Sequence, residues 1–332
     1  MKPEFLKESP KIHLVAPSFG CVTEPYETRL KASILKLREL GAIVTEGENI
    51  WKGLGKASSN SPILRAKEIN DAFLSDADAI ISVGGGEVMC ECLPYVDFEE
   101  IKRNPKWFVG FSDNTNLTYT ITTICDIETI YGCNAPSFYR MNYDVLDTWE
   151  MLHGKKEFKG YKKWQLENNS KNPLIELNLK KRTQIKTFNY DKPVTGRLIG
   201  GCLDCLTNLC GTQFDNTKAY INKHRNEGII FFMESCDYNS IQLRRALFQL
   251  KNACWFEHVD MFIIGRSLNI NDKSFDVSME ESYLDMLGEF NKPILFNVDL
   301  GHLPPSMPMR CGAIATVEYK KEKNNIYINY KD

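Results

Sequence analysis

Histidine is scarce in this chain, with five among 332 residues. Any chemistry that needs an imidazole must draw on His13, His153, His224, His258 or His302. An excess of one charge is also missing, because 41 basic side chains face 43 acidic ones for a formal net charge of -2. Such a balance makes no global field for a nucleic acid polymer or an acidic membrane, so local groups must carry recognition. No stretch reaches the roughly 18 uninterrupted apolar residues of a membrane helix. The first ten residues carry Lys2, Glu4, Lys7 and Glu8 and no apolar segment of a secretory signal. The expectation is therefore a cytoplasmic protein with no membrane partner. Cysteine is not short, but an odd count of eleven without a secretory signal fits reduced thiols better than a disulfide framework.

What is present is alternation. Short apolar runs at Lys11–Ala16, Ala42–Thr45, Asp78–Val83 and Lys106–Gly110 read as strands, and helical patterns lie near Glu24–Leu40 and Ile63–Leu74. Strands alternating with helices predict an α/β fold with a parallel sheet, whose sites gather beyond the strands' carboxyl ends. From Gly154 to Lys192 the chain turns Lys- and Asn-rich with little period, and some extended structure is expected around Leu174–Leu179. Beyond Pro193 come strands at Gly228–Met233, Val259–Gly265 and Pro293–Val298, helices near Ser240–Lys251 and Met279–Phe290, and a closing pair at Ala313–Tyr319 and Asn325–Tyr330. This divides the chain into residues 1–153 with the nucleophile, a linker and substrate loop at 154–192, and a second domain at 193–332.

Chemistry concentrates at strand ends. Gly110-Phe111-Ser112-Asp113 puts a serine on a turn between a strand and a Thr-rich helix, a relative of the nucleophile elbow with Asp113 where a second glycine would stand. By itself the tetrapeptide reads more as ordinary helix capping than as a nucleophile, with Asp113 the expected cap. A serine nucleophile needs a base, and the base an orienting carboxylate. His302, after Gly301 in a Pro-rich loop, is the best-placed histidine, and Glu234 ends a buried-looking strand. His13 lies inside an apolar strand and reads as a satisfied core histidine, whereas His153, His224 and His258 lie in charged contexts expected to be exposed.

Gly84-Gly85-Gly86 lacks the Lys-Ser/Thr ending of a P-loop and the spacing of a dinucleotide fingerprint. It is expected to face Ser112 and contribute to an oxyanion hole, with a phosphate cradle as the weaker alternative. Cys202-Leu203-Asp204-Cys205 and Cys90-Glu91-Cys92 lack a second pair at zinc spacing, so buried thiols are expected rather than metal. Cys133 has no evident activator in its neighbourhood of sequence.

Taken together the motifs resemble a serine peptidase family, that of the LD-carboxypeptidases (muramoyltetrapeptide carboxypeptidases) and the microcin C immunity proteins. The similar segments run in order: Val15-Ala16-Pro17-Ser18, Arg65-Ala66, Gly85-Gly86 with Leu93-Pro94-Tyr95-Val96-Asp97, Gly110-Phe111-Ser112-Asp113, Gly200-Gly201, Phe232-Met233-Glu234 and Gly301-His302. The resemblance implies a flavodoxin-like or amidotransferase-like first domain and a smaller β-rich swivelling second domain. It also implies a Ser112, Glu234 and His302 triad, an oxyanion hole at the amides of Gly86 and Asp113, no cofactor, no metal and a homodimer. The Leu93–Asp97 segment and Trp164 look closer to the microcin-immunity branch. A small peptide or aminoacyl-nucleotide substrate then touches Gly85, Trp164 and Cys202, although Cys202 replaces the family's usual asparagine. The alternative is a nucleotide- or peptide-binding protein that keeps the fold without catalysis.

Overall fold

Strands with every residue buried organise the chain. In a computed structural model that describes residues 1–55, 57–168 and 170–331, two compact units form: Met1–Lys155, Asn168–Leu177 and Pro308–Cys311 in the first, and Lys156–Glu167, Asn178–Met307 and Gly312–Asp332 in the second. Among the described residues no helix is long and apolar enough to cross a membrane.

The first unit is built on β1 (Lys11–Val15), β2 (Ile43–Glu46), β3 (Ala79–Ser82), β4 (Trp107–Gly110) and β5 (Thr129–Tyr131). They pair in parallel in the order β5-β4-β3-β1-β2. Helices α1 (Tyr26–Glu39), α2 (Pro62–Leu74), α3 (Phe98–Arg103), α4 (Thr115–Cys125) and α5 (Tyr143–Leu152) accompany them. Parallel strands need crossovers, and helices covering a sheet's faces leave near-continuous apolar strands. Ala79-Ile80-Ile81-Ser82 and Trp107-Phe108-Val109-Gly110 are buried throughout for that reason.

The second unit contains β6 (Glu157–Lys159), β7 (Lys163–Trp164), β8 (Lys181–Arg182), β9 (Lys186–Phe188), β10 (Val194–Cys202), β11 (Ile229–Glu234), β12 (Met261–Gly265) and β13 (Ile294–Val298). Its helices are α6 (Leu203–Leu209), α7 (Thr217–His224), α8 (Ser240–Asn252) and α9 (Met279–Leu287). The next strand, β14 (Met309–Cys311), returns to the first sheet as an antiparallel neighbour of β5. Finally β15 (Ile314–Lys320) and β16 (Asn325–Lys331) complete the second sheet. Its order is β6-β16-β15-β10-β11-β12-β13-β9, with β10 to β13 parallel and antiparallel strands on both sides.

Mixed α/β architecture with one parallel-sheet unit and a second sheet unit is thus what the alternation predicts. Two local expectations fail. Residues 174–179 form no strand. Their backbone is held by side chains instead, with Asn178 N donating to Gln165 Oε1 at 2.7 Å and Tyr139 Oη donating to Ile175 O at 2.9 Å. His224 is buried rather than exposed, because α7 turns it against the Tyr220 ring at 4.7 Å and toward Glu227 at 3.2 Å.

Candidate active site

Ser112 stands two residues beyond the carboxyl end of β4 with φ +65°. A side chain in the left-handed region costs on the order of 1 kcal/mol and persists only where its surroundings impose it. Here they do. Phe111 N donates to Asn134 Oδ1 at 2.9 Å, and Ser112 N donates to the Tyr131 hydroxyl at 3.3 Å. Asn114 Nδ2 donates to Gly84 O at 2.8 Å and Phe111 O at 3.0 Å. The Phe111 ring lies 5.1 Å from that of Tyr131. The end of β5 therefore fixes the turn that lifts the serine out of β4.

Asp113 is not the helix cap. Asn114 takes that position before α4, without a side-chain cap bond. The buried Asp113 carboxylate instead accepts from Ser18 Oγ at 2.5 Å and Met89 N at 3.0 Å on one oxygen, and from Asn116 Nδ2 at 2.9 Å on the other. Donors from two neighbouring loops meet it there, and leaving a buried donor unpaired costs more than a missing cap. Burial pushes its pKa up, against the pull of Ser18, Met89 and Arg65. Arg65 is itself fully buried and ties the same loops through Pro17 O at 3.0 Å and Val88 O at 3.2 Å.

The glycine run closes on this turn. A Cβ on Gly85 would come within 3.1 Å of Ser112 Cβ and 3.4 Å of its Oγ. Gly86 has φ +151°, and a Cβ there would meet Ser18 Oγ at 2.1 Å. Only glycine satisfies both conditions, since it alone brings backbone this close without a side chain. Among the described residues the Gly86 amide has no acceptor.

In the second unit, Glu234 ends β11 fully buried, and its Oε2 lies 2.7 Å from His302 Nδ1. A carboxylate acceptor assigns the proton to Nδ1 and leaves Nε2 as the basic nitrogen. Burial alone would lower the His302 pKa. The neighbouring Glu234 charge and hydrogen bonds with Cys236 and Glu234 outweigh it and hold the imidazole well above its ordinary value. Gly301 makes room for the pair, because a Cβ there would stand 2.9 Å from Glu234 Oε2. Nearby, Asp299 and Arg266 form a buried ion pair at 2.7 Å.

The other residues singled out by sequence are less open. Cys202 ends β10 buried, hydrogen-bonded with Cys205 and 3.5 Å from Asp204 Oδ2. Trp164 is 9% exposed, donates to Arg182 O at 3.3 Å and has the Arg266 guanidinium 5.0 Å from its ring centroid. Cys133 lies 3.4 Å from Asp144 Oδ2, buried and pushed up in pKa mainly by that burial. Ser18, Tyr131, Asn134 and Cys236 carry no signal by residue type alone. Only their places at strand ends could have drawn attention to them. Among the described residues no group of three or more His, Cys, Asp and Glu side chains is set to hold a metal ion.

Known proteins share this organisation. Residues 12–132 match the LD-carboxypeptidase N-terminal domain, and residues 195–317 the LD-carboxypeptidase C-terminal domain. The chain belongs to the LD-carboxypeptidase family. Within it, the microcin C7 self-immunity protein MccF of Escherichia coli is 26% identical over 277 residues, covering 80% of this chain and 78% of MccF. A probable murein peptide carboxypeptidase of Bacillus subtilis (strain 168) is 24% identical, covering 95% of this chain and 91% of that protein. Among solved structures, MccF in complex with aspartyl sulfamoyl adenosine superposes with a TM-score of 0.83 at 23% identity, covering 100% of this chain and 99% of MccF. At that identity the likeness is one of fold.

Proposed function

We propose that this member of a carboxypeptidase family is a serine-type amidohydrolase with Ser112 as nucleophile, His302 as general base and Glu234 as the group that orients it. The observation that carries the reading is Ser112 itself, held at φ +65° on the exit of β4 beside the Gly85 backbone. A strained serine at a parallel strand's carboxyl end is the arrangement that presents a hydroxyl for attack. The buried Glu234–His302 pair supports it by supplying an imidazole of defined tautomer.

In this reading Ser112 Oγ attacks the scissile carbonyl as its proton passes to His302 Nε2. Glu234 stabilises the imidazolium. The oxyanion that forms is held by the amides of Gly86 and Asp113. His302 then protonates the leaving amine, and water, activated by the same imidazole, releases the acyl group and restores the serine. The substrate is a muropeptide or a microcin C-type aminoacyl nucleotide, the latter supported by the MccF structure that holds aspartyl sulfamoyl adenosine. We also place a homodimer and a cytoplasmic setting within this proposal.

One experiment tests it. Purified chain is offered a panel of LD-configured tetrapeptides and aminoacyl sulfamoyl adenylates, with Ser112→Ala in parallel. Loss of a triad serine removes turnover by on the order of a million-fold while the fold survives. Turnover by a folded Ser112→Ala within about tenfold of the parent would overturn the proposal. Inactivity of the parent on every substrate would favour binding without catalysis.

A further inference from the structure

Positive charge is concentrated in one stretch of the chain. Residues 155–192 hold eleven Lys and Arg side chains against four Asp and Glu, a net +7, which leaves 30 basic and 39 acidic side chains elsewhere, a net -9. Five of these cations meet on one small ribbon. Strands β7 and β8 are antiparallel, with Lys163 opposite Arg182 and Trp164 opposite Lys181, and Lys162 and Lys180 precede the two strands. Lys162, Lys163, Lys180, Lys181 and Arg182 are all exposed. Like charges directly opposite each other across a strand pair are destabilising. A neighbouring carboxylate would cancel the repulsion. Among the described residues none of the five side chains is ion-paired, whereas Lys186 in β9 pairs with Glu280 at 2.6 Å.

The ribbon is anchored to the loop that carries His302. Gln165 N donates to Pro304 O at 2.8 Å, and Thr183 Oγ1 donates to Asp299 Oδ1 at 3.0 Å. Trp164 lies over the Arg266 guanidinium, which is paired with Asp299. All of these residues belong to the second unit. The buried Arg266–Asp299 pair neutralises itself, so the uncompensated charge on this anchor is that of the ribbon. Two paired residues per strand span about 7 Å. That length matches one or two small anionic groups, and it is too short to track a nucleic acid polymer, whose sites run over several nucleotides.

We infer that the β7–β8 ribbon is a binding subsite for an anionic group of the substrate, a carboxylate or a phosphate other than the group that is cleaved. Lys163, Lys181 and Arg182 hold it, Lys162 and Lys180 add to the field, and the bound anion relieves the repulsion between Lys163 and Arg182. Exposed cations attract a charged ligand over about 10 Å at 0.1 M salt, so the subsite strengthens capture and leaves the chemical step unchanged. The inference deepens the proposed function. It rests on that reading for His302 as the base, and it makes the substrate of that site an anion.

The test measures binding on the full-length Ser112→Ala chain, where turnover does not intervene. Two pairs of probes are used: adenosine 5′-monophosphate against adenosine, and an LD-configured tetrapeptide against the same peptide with its carboxylates amidated. Adding Lys163→Gln, Lys181→Gln and Arg182→Gln together should weaken at least one anionic probe by about tenfold or more, since an exposed ion pair contributes up to about fivefold. The uncharged partners should bind as before. A loss confined to the nucleotide identifies a phosphate, and one confined to the tetrapeptide a carboxylate. The loss should shrink between about 0.1 and 1 M salt, as the screening length falls from about 10 to 3 Å. Lys321→Gln, Lys323→Gln and Lys331→Gln together, exposed positions in the same unit, remove equal charge elsewhere and should have no such effect. Lys181→Gln alone, with a loss of about threefold expected, serves should the triple variant not fold, with thermal melting as the check. Equal weakening by the control set, unchanged affinity in a folded ribbon variant, or no preference of the Ser112→Ala chain for either anionic probe overturns the inference. Hydrolysis is measured separately with Ser112 present: ribbon-dependent binding by a chain inactive on every substrate keeps the subsite and rejects the hydrolase, and turnover whose KM the ribbon variant leaves unchanged does the reverse.

Discussion

Replacing Asp113 separates what its carboxylate does from what its backbone amide is proposed to do. The side chain accepts three hydrogen bonds, from Ser18 Oγ, Met89 N and Asn116 Nδ2, in a buried setting. Hydrogen bonds to a charged group contribute about 1.5–3 kcal/mol each, and an unpaired buried donor costs about 1–3 kcal/mol. Relief of the buried charge offsets part of this, so Asp113→Ala should destabilise the chain by about 3–5 kcal/mol, the range for breaking a buried charged network from one side. Asp113→Asn should cost only about 1 kcal/mol. Its oxygen can keep Ser18 and Met89, and its amide can donate to Asn116 Oδ1 once Asn116 flips, an oxygen that otherwise has no partner. Urea unfolding measures both values. The reasoning fails if the alanine variant lies within about 1 kcal/mol of the asparagine variant.

The pH dependence of the same pair gives a sign. Burial raises Asp113 above the ordinary aspartate value of 3.8, so the folded chain keeps this proton to higher pH than the unfolded chain. The stability of the parent relative to Asp113→Asn is then greatest below pH 3.8 and falls as pH rises through the folded value. A relative stability that climbs over that window counts against burial as the dominant influence.

Three further outcomes are expected. Gly86→Ala should lower hydrolysis about 100-fold or more, since its Cβ would drive into Ser18 Oγ and displace one proposed oxyanion donor; unchanged kcat would remove Gly86 from the oxyanion hole. Ser112→Gly should unfold at higher temperature than Ser112→Ala, by about 1 kcal/mol at the midpoint, because glycine relieves the φ of +65°; equal melting temperatures would argue that the backbone there is unstrained. Glu234→Gln should lower the titration midpoint of the His302 ring protons seen by NMR, since the Glu234 charge raises it. The stabilisation from that pair is present below the ordinary value of 6.5 and is lost as pH rises through the folded one. An unmoved midpoint would show that the carboxylate does not hold the imidazolium.

Sequence by itself determined the elements whose cause is local. Ile229–Glu234 and Trp107–Gly110 are strands because they are short apolar runs buried on both faces. The helix Ser240–Asn252 begins where Asn239 and Gln242 form a capping box. Strand β10 was harder to read, because Gly196, Gly200 and Gly201 interrupt its apolar pattern. The position of Ser112 at a strand end was legible, but its left-handed backbone was not, since Tyr131 and Asn134 impose it from the next strand. Only the tertiary structure decided the partners. Glu234 and His302 are 68 residues apart, and Ser18 and Asp113 are 95 apart. No local period encodes such pairings. They follow from parallel strands that bring their carboxyl ends to one edge, where a side chain's role is set by what another loop delivers to it. Asp113, which alone reads as a cap, becomes a buried tie between loops for that reason.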